Sequence, residues 1–234
     1  MPTGREMLEL ARKHIDEDYV NVVVPKDNPN WKGPWDCAEF MSWLVFQTTG
    51  SLYGCINDNA RPSVADAYTG AWKQDSLSKG NRVPVDQAAA TVGGILLRFP
   101  PEPGAMGHIV VCDGAGKTVE AKGHAFGVVE DTVHGRRWDT GVLIPGIEYD
   151  TNVAPISPTA PEKTIFRQGG QNMNSDKVRE IQRKLSEAGF DPGPIDGIYG
   201  PKTAAAVFAF QSVRGLVLDG EVGPQTAKEL GVIL

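Results

Sequence analysis

The sequence predicts an α+β domain followed by a small all-α domain. Three observations carry this reading. Apolar residues recur at helical spacing near the N-terminus, short β-branched runs separated by glycine turns cluster between residues 95 and 129, and a nonapeptide occurs twice near the C-terminus.

Taken in order, Thr3 is placed to cap a first helix with Met7, Leu8, Leu10, Ala11 and Ile15 on its apolar face. A loop rich in Pro, Asn, Gly and Trp follows, from about Pro25 to Trp35. Asp36 is a suitable N-cap and Gly50 a suitable stop, so residues 37–48 read as a buried helix carrying Phe40, Met41, Leu44, Val45 and Phe46. Residues 51–90 mix helical fragments with Gly and Pro breaks and settle on no element. Strands are expected at Ile95–Phe99, Ile109–Cys112, Thr118–Ala121 and Phe126–Val129, with Asp113-Gly-Ala-Gly116 closing a hairpin. Residues 1–150 form the first domain. A proline-containing linker is expected over 151–172 and the helical domain over 173–234. There Asp196-Gly-Ile-Tyr-Gly-Pro-Lys-Thr-Ala204 recurs as Asp219-Gly-Glu-Val-Gly-Pro-Gln-Thr-Ala227, each copy a glycine turn that leads through a proline into a helix.

Charge and hydropathy exclude several classes. The 234 residues are 22% charged and 41% hydrophobic, as in ordinary globular proteins. All of the net charge of −6 lies in the first 160 residues, because the remainder balances nine basic against nine acidic groups. An acidic body without a basic stripe argues against nucleic-acid binding and against docking on anionic lipid. No run approaches the roughly 18 apolar residues of a membrane helix. The N-terminus reads as a helix of the folded domain, not a signal peptide, so action on an extracytoplasmic target would need phage release or a dedicated export system. Cys37, Cys55 and Cys112 cannot all pair, which leaves at least one thiol free.

Cys37 draws attention on chemical grounds. A thiol at a helix start faces the positive end of the macrodipole, which favours thiolate, and the same backbone N–H groups could hold an oxyanion. Such a nucleophile needs a base. His14 reads as lying on the polar side of the first helix and His134 sits in a polar loop, whereas His108 opens an apolar strand directly after Gly107. A third polar group should fix the imidazole. Glu120, on the next strand, can meet His108 across an antiparallel hairpin, and His124 is the alternative third member. Trp31 and Trp35, beside the nucleophile, are candidate cleft walls, with His124 a further cleft candidate; Trp43 reads as core and Cys112 as a buried structural thiol. No zinc-ligand spacing is present and no cofactor is expected.

These motifs carry two resemblances. Asp36-Cys37-Ala-Glu-Phe, then Gly107-His108-Ile-Val-Val-Cys112, then Gly-Lys-Thr-Val-Glu120-Ala are similar to the NlpC/P60 superfamily of papain-like cysteine peptidases, over roughly residues 5–150. In that family the Asp-Cys pair starts the helix, the Gly-His pair opens a strand, and a polar third residue follows about twelve positions on. The resemblance implies N-terminal helices packed on an antiparallel sheet, with Cys37, His108 and Glu120 catalytic, Asp36 in support and Tyr19 assisting the oxyanion. Glu39 departs from the family's usual small residue. Glu120 resembles the related CHAP amidases more than the usual His, Asn or Gln, and a glutamate there favours a resting thiolate–imidazolium pair. The tail, with its LxxxGF, DGxxGxxT and AVxxFQ elements, resembles the peptidoglycan-binding domain of bacterial and phage wall enzymes over nearly all of 174–234. That resemblance implies a three-helix fold that docks on wall glycopeptide and raises the local substrate concentration. Leu185, Phe190, Val207, Phe210, Leu216 and Val222 are core candidates. Asp196 and Asp219 read as turn carboxylates or wall contacts, and Tyr199 as a ligand contact or a packed ring.

Together the two resemblances imply a monomeric peptidoglycan hydrolase, endopeptidase or N-acetylmuramoyl-L-alanine amidase, that cuts an amide of the wall peptide. An inactive wall-binding protein and a cysteine acyltransferase or transpeptidase acting on the same substrate are the alternatives. The bond that is cut stays open: D-Glu to diamino acid, muramoyl to L-Ala, or a cross-bridge.

Overall fold

The computed structural model describes residues 1–79, 81–100, 107–150, 165–169, 174–216 and 218–234. They fall into two compact units, the first containing Met1–His134 and the second containing 174–234. Each is described by itself. Among the described residues no helix is long and apolar enough to cross a membrane.

In the first unit α1 spans Gly4–Arg12 and opens on a complete capping box, Thr3 accepting from the Glu6 N–H while Glu6 reaches back to the Thr3 N–H. It stops before Ile15, which packs on the core from the following turn. α2 spans Cys37–Thr49. Asp36 caps it by accepting from the N–H groups of Ala38 and Glu39, and Gly50 ends it in the left-handed conformation at φ 73°. Every residue from Cys37 to Val45 is buried, so α2 is a central helix and not a surface one. The stretch without a sequence assignment supplies α3 (Thr69–Ser78) and α4 (Val85–Ala89).

The sheet contains β1 (Arg82–Val83), β2 (Val92–Arg98), β3 (His108–Asp113), β4 (Lys117–Gly123), β5 (Gly127–Thr132) and β6 (Thr140–Val142), all antiparallel, in the order β1-β6-β2-β3-β4-β5. The four expected strands are present, while β1 and β6 are too short to leave a periodic trace. Alternation along the strands divides the apolar side chains between two faces. Ile95, Leu97, Ile109, Val111, Val119 and Ala121 join the core of α1 and α2, whereas Leu96, Val110 and Cys112 pack with Ala88, Ala89 and Val133 on the other face. Cys112 is wholly buried there, as expected of a structural thiol. At Gly93, with φ 81°, β2 passes so close to Gly4 that a Cβ would lie 2.3 Å from the Gly4 carbonyl oxygen.

The β3–β4 register, Val111 opposite Val119 and Cys112 opposite Thr118, sets the geometry of the candidate site. It puts Glu120 level with Val110, and His108 two residues along on the same face, within diagonal reach.

The second unit contains α5 (Ser175–Glu187), α6 (Pro201–Arg214) and α7 (Pro224–Leu230) around Val178, Ile181, Leu185, Val207, Phe210 and Val222. Phe190 and Leu216 pack on that core while remaining partly exposed. The expected linker over 151–172 lies outside the described residues except at 165–169, and there it needs correction. Phe166 is 2% exposed within this core and exchanges two backbone hydrogen bonds with Val222, so the unit takes in residues ahead of 173. A large apolar ring gains too much from burial to stay in a linker.

The internal repeat is a repeat of hydrogen bonding as well as of sequence. Gln182 on α5 donates to Asp196, the Ile198 carbonyl and Thr203, and accepts from the Gly197 N–H. Gln211 on α6 donates to Asp219, the Glu221 carbonyl and Thr226, and accepts from the N–H groups of Asp219 and Gly220. Each glutamine side chain satisfies a turn whose buried backbone groups have no ladder to join.

Candidate functional site

Three segments of the first unit converge at the start of α2. The chain leading into the helix is held by residues 18–20, with Trp35 N–H donating to the Asp18 carbonyl at 2.9 Å and Val20 N–H to the Trp35 carbonyl at 3.0 Å. This places the Tyr19 hydroxyl at the Cys37 backbone N–H. From the sheet, the N–H of Ile109, the residue next to His108, acts on the Cys37 thiol in favour of its charged form.

His108 is 5% exposed, and its Nε2 lies 2.5 Å from a carboxylate oxygen of Glu120, itself wholly buried. The other Glu120 oxygen accepts from the Thr118 hydroxyl at 2.7 Å. Trp138 stacks on the imidazole, ring centres 6.2 Å apart at 28°. Gly107 N–H donates to the Thr69 hydroxyl at 3.1 Å, which holds the residue just ahead of β3. Of the two candidate third members, Glu120 is thus the one bonded to His108, while His124 sets its ring edge-on against Tyr19 at 5.1 Å.

The electrostatics revise one expectation. Burial, reinforced by the Asp36 carboxylate, pushes the Cys37 thiol up to about 12, although Arg98 and the Ile109 N–H act in the opposite sense. At the helix start, burial outweighs the macrodipole. Burial also raises Tyr19, with the charges of Cys37 and Asp36 adding to it, so its hydroxyl keeps its proton. The helix amides are less available than expected, since Ala38 and Glu39 donate to Asp36 at 2.9 and 2.8 Å.

Burial lifts Asp36 to about 7, against the N–H groups that favour its charged form. A folded value above the unfolded one means the native state holds the extra proton. This group's contribution to stability is therefore full below about pH 4 and is lost as the pH rises through 7. Above 7 its charge also opposes Cys37 ionisation. Asp36→Asn keeps a capping oxygen and removes the charge, so Cys37 should alkylate with iodoacetamide at lower pH than in the wild type. A pH–rate profile for Cys37, read by mass spectrometry, checks this, and coincident profiles would remove Asp36 from the thiol's electrostatics.

Other expected site residues are placed differently. Trp35 is 0% exposed, its Nε1 donating to Glu17 at 2.6 Å and its ring packed edge-on against Trp43, so it cannot wall a cleft. Trp31 is partly exposed and donates to the Pro34 carbonyl at 3.3 Å. His14 is buried against Trp35 and Trp43 with Nδ1 on Glu17 at 2.8 Å, not on a polar face. Trp43 is core, as expected.

In the second unit Tyr199 is 3% exposed and donates to the Gly220 carbonyl at 2.9 Å, so the packed ring replaces the expected ligand contact. Asp196 and Asp219 serve their turns, accepting from the N–H groups of Ile198 and Glu221 and from the two glutamines. The duplicated glutamine-pinned turn, each copy feeding a helix that starts on proline, marks the tail as one recognisable module. Residues 174–230 match the family described as "Putative peptidoglycan binding domain".

Curated proteins also match parts of this chain. "N-acetylmuramoyl-L-alanine amidase CwlM" of Mycobacterium tuberculosis is 30% identical over 93 residues, covering 38% of this chain and 23% of that protein. "N-acetylmuramoyl-L-alanine amidase CwlL" of Bacillus licheniformis is 40% identical over 76 residues, covering 30% and 21%. The chain thus spans under a quarter of the length of each of these two relatives. Among solved structures, the NlpC/p60 domain of the peptidoglycan hydrolase SagA aligns at a TM-score of 0.42 and 22% identity, over 61% of this chain and 99% of that one.

Sequence reasoning passed over Thr69, Thr118 and Arg98, and took Trp138 only as one of several possible cleft tryptophans. Two of them had a signal. Thr118 lies two residues before Glu120 and so on its face, and Arg98 ends an otherwise apolar strand.

Proposed function

We propose that this chain is a peptidoglycan hydrolase that cuts an amide of the wall peptide with Cys37 as nucleophile, held on its substrate by the C-terminal domain. One observation carries the proposal. A buried His108–Glu120 contact adjoins a cysteine at a helix start, in a chain whose tail matches a peptidoglycan-binding family. The NlpC/P60-like Asp-Cys and Gly-His motifs and the amidase relatives support it.

In this reading Cys37 rests as a thiol. Its proton passes to Nδ1 of His108 as the sulfur attacks the carbonyl carbon, while Glu120 at Nε2 balances the imidazolium charge. The Cys37 N–H and the Tyr19 hydroxyl face the developing oxyanion. His108 then gives its proton to the leaving amine as the C–N bond breaks. Water, losing a proton to His108, hydrolyses the thioester and restores the thiol. His124 and Trp31 border the approach, and binding through the tail raises the local concentration of wall peptide. The proposed site of action is the bacterial wall, outside the cytoplasm.

Incubation with purified peptidoglycan of several chemotypes is expected to lower turbidity and release peptide-bearing fragments whose masses name the bond. Adducts formed with an added amine would assign acyl transfer instead. Binding without release from any chemotype would overturn the hydrolase reading in favour of a wall-binding protein.

A further inference from the structure

Arg98 closes β2, a strand that is otherwise glycine and aliphatic, yet it is only 4% exposed. A guanidinium always carries its charge, and burying it is costly unless that charge is used. Arg98 is directly opposite His108 in the β2–β3 register, so both side chains leave the sheet on one face, where Glu120 on β4 holds the imidazole. Cys37 stands at the start of α2, and at the start of β3 the N–H of the residue after His108 acts on its thiol.

The charges around the sulfur are otherwise unfavourable to it. Asp36 on its own element and Glu120 on β4 both oppose ionisation, and the Tyr19 hydroxyl stays neutral. Yet the sulfur must bear negative charge twice in the proposed cycle, as it loses its proton and again as the thioester breaks. Arg98 and the Ile109 N–H are the groups that favour that charge, and Arg98 is the stronger.

We infer that Arg98 is a positioning residue of the site, a fixed cation opposite His108 that offsets the Asp36 and Glu120 carboxylates whenever Cys37 carries negative charge. This rests on the cysteine-nucleophile reading and adds to it a residue that touches neither substrate nor the breaking bond. It also accounts for a glutamate as third member. An anionic partner for His108 places a second carboxylate near the sulfur, and a permanent cation on the neighbouring strand compensates for it.

The test is iodoacetamide labelling of the full chain between pH 5 and 10, with Cys37, Cys55 and Cys112 followed separately by peptide mass spectrometry. Arg98→Met and Arg98→Gln are each expected to slow Cys37 labelling at pH 7.5 about tenfold and to displace its profile to higher pH. Arg98→Lys should stay within about threefold of wild type, because it keeps the charge. Continued protection of Cys55 and Cys112 shows that a variant is folded. A folded neutral variant with the wild-type profile would overturn the inference. Should both neutral variants unfold, the lysine variant decides: its Cys37 labelling should fall behind wild type as the pH rises toward 10 and the lysine loses its charge, and a profile matching wild type over the whole range overturns the role. If wild-type Cys37 never labels ahead of Cys55, the nucleophile reading itself fails and this inference falls with it; a reactive Cys37 indifferent to Arg98 removes only the inference.

Discussion

Replacing Cys37 by alanine is expected to lower fragment release from peptidoglycan by roughly four orders of magnitude or more, while co-sedimentation with the wall stays at the wild-type level. The sulfur is the atom that bonds to the substrate carbonyl in the proposed cycle, and no neighbour can replace it. Ser42, the nearest hydroxyl-bearing residue along α2, is wholly buried and donates to the Tyr53 carbonyl. The substitution removes one buried atom and leaves the Asp36 cap and the Tyr19 contact to the backbone N–H in place, so the domain should stay folded. Glu120→Gln gives a graded comparison. Glutamine can keep a hydrogen bond to Nε2 but cannot balance imidazolium, and a loss of about 10²- to 10⁴-fold is expected. Wild-type release by Cys37→Ala would remove the thiol from the chemistry. A Glu120→Gln enzyme of full activity would reduce Glu120 to a structural support for His108.

The parts of this site that were legible in the sequence are those governed by local rules. Asp36 and Gly50 mark the ends of α2 because capping depends on a few consecutive residues. The His108–Glu120 meeting could be anticipated because a short glycine turn after Asp113 limits the hairpin register, and register decides which side chains share a face. What escaped depends on segments that meet only in the fold. Trp35 reads as a cleft wall because it adjoins the nucleophile in sequence, but strand-like bonds to Asp18 and Val20 turn it into the core. Tyr199 reads as a ligand contact because its counterpart in the second repeat is an apolar residue. That difference in fact pointed inward: Val222 is buried too, and the tyrosine differs in having a hydroxyl that bonds the Gly220 carbonyl. Gln182 and Gln211 interrupt apolar helix faces, and their partners come into view only when the turns they fill are in place.

The largest stability effect is expected at a pair that no periodicity suggested. Lys26 and Glu39 are both wholly buried and ion-paired. Lys26 also donates to the carbonyls of Val24 at 3.1 Å and Ala65 at 2.6 Å. Glu39 accepts from the N–H groups of Val24 at 2.8 Å and Ala67 at 2.6 Å. Two irregular segments are thereby fastened to the first turn of α2, directly beneath the nucleophile. Burial raises the Glu39 carboxyl and Lys26 only partly counters this, so the pair is costly to bury and is favourable only while both members are present. Lys26→Met strands a carboxylate in the core, and Glu39→Leu strands an ammonium together with two backbone donors. Each is expected to cost about 3–5 kcal/mol, a fall in Tm of roughly 10 °C in differential scanning fluorimetry at pH 7. The double variant Lys26→Met/Glu39→Leu should recover part of that loss, since no charge is left unpaired, though the Val24 and Ala67 donors still lack a partner. Strictly additive losses in the double variant would show that the two residues act separately and that the α2 start is held by its cap alone. Recovery of stability without recovery of fragment release would instead show that the pair's hold on residues 24–26 and 65–67 serves the geometry at Cys37 as well as the fold.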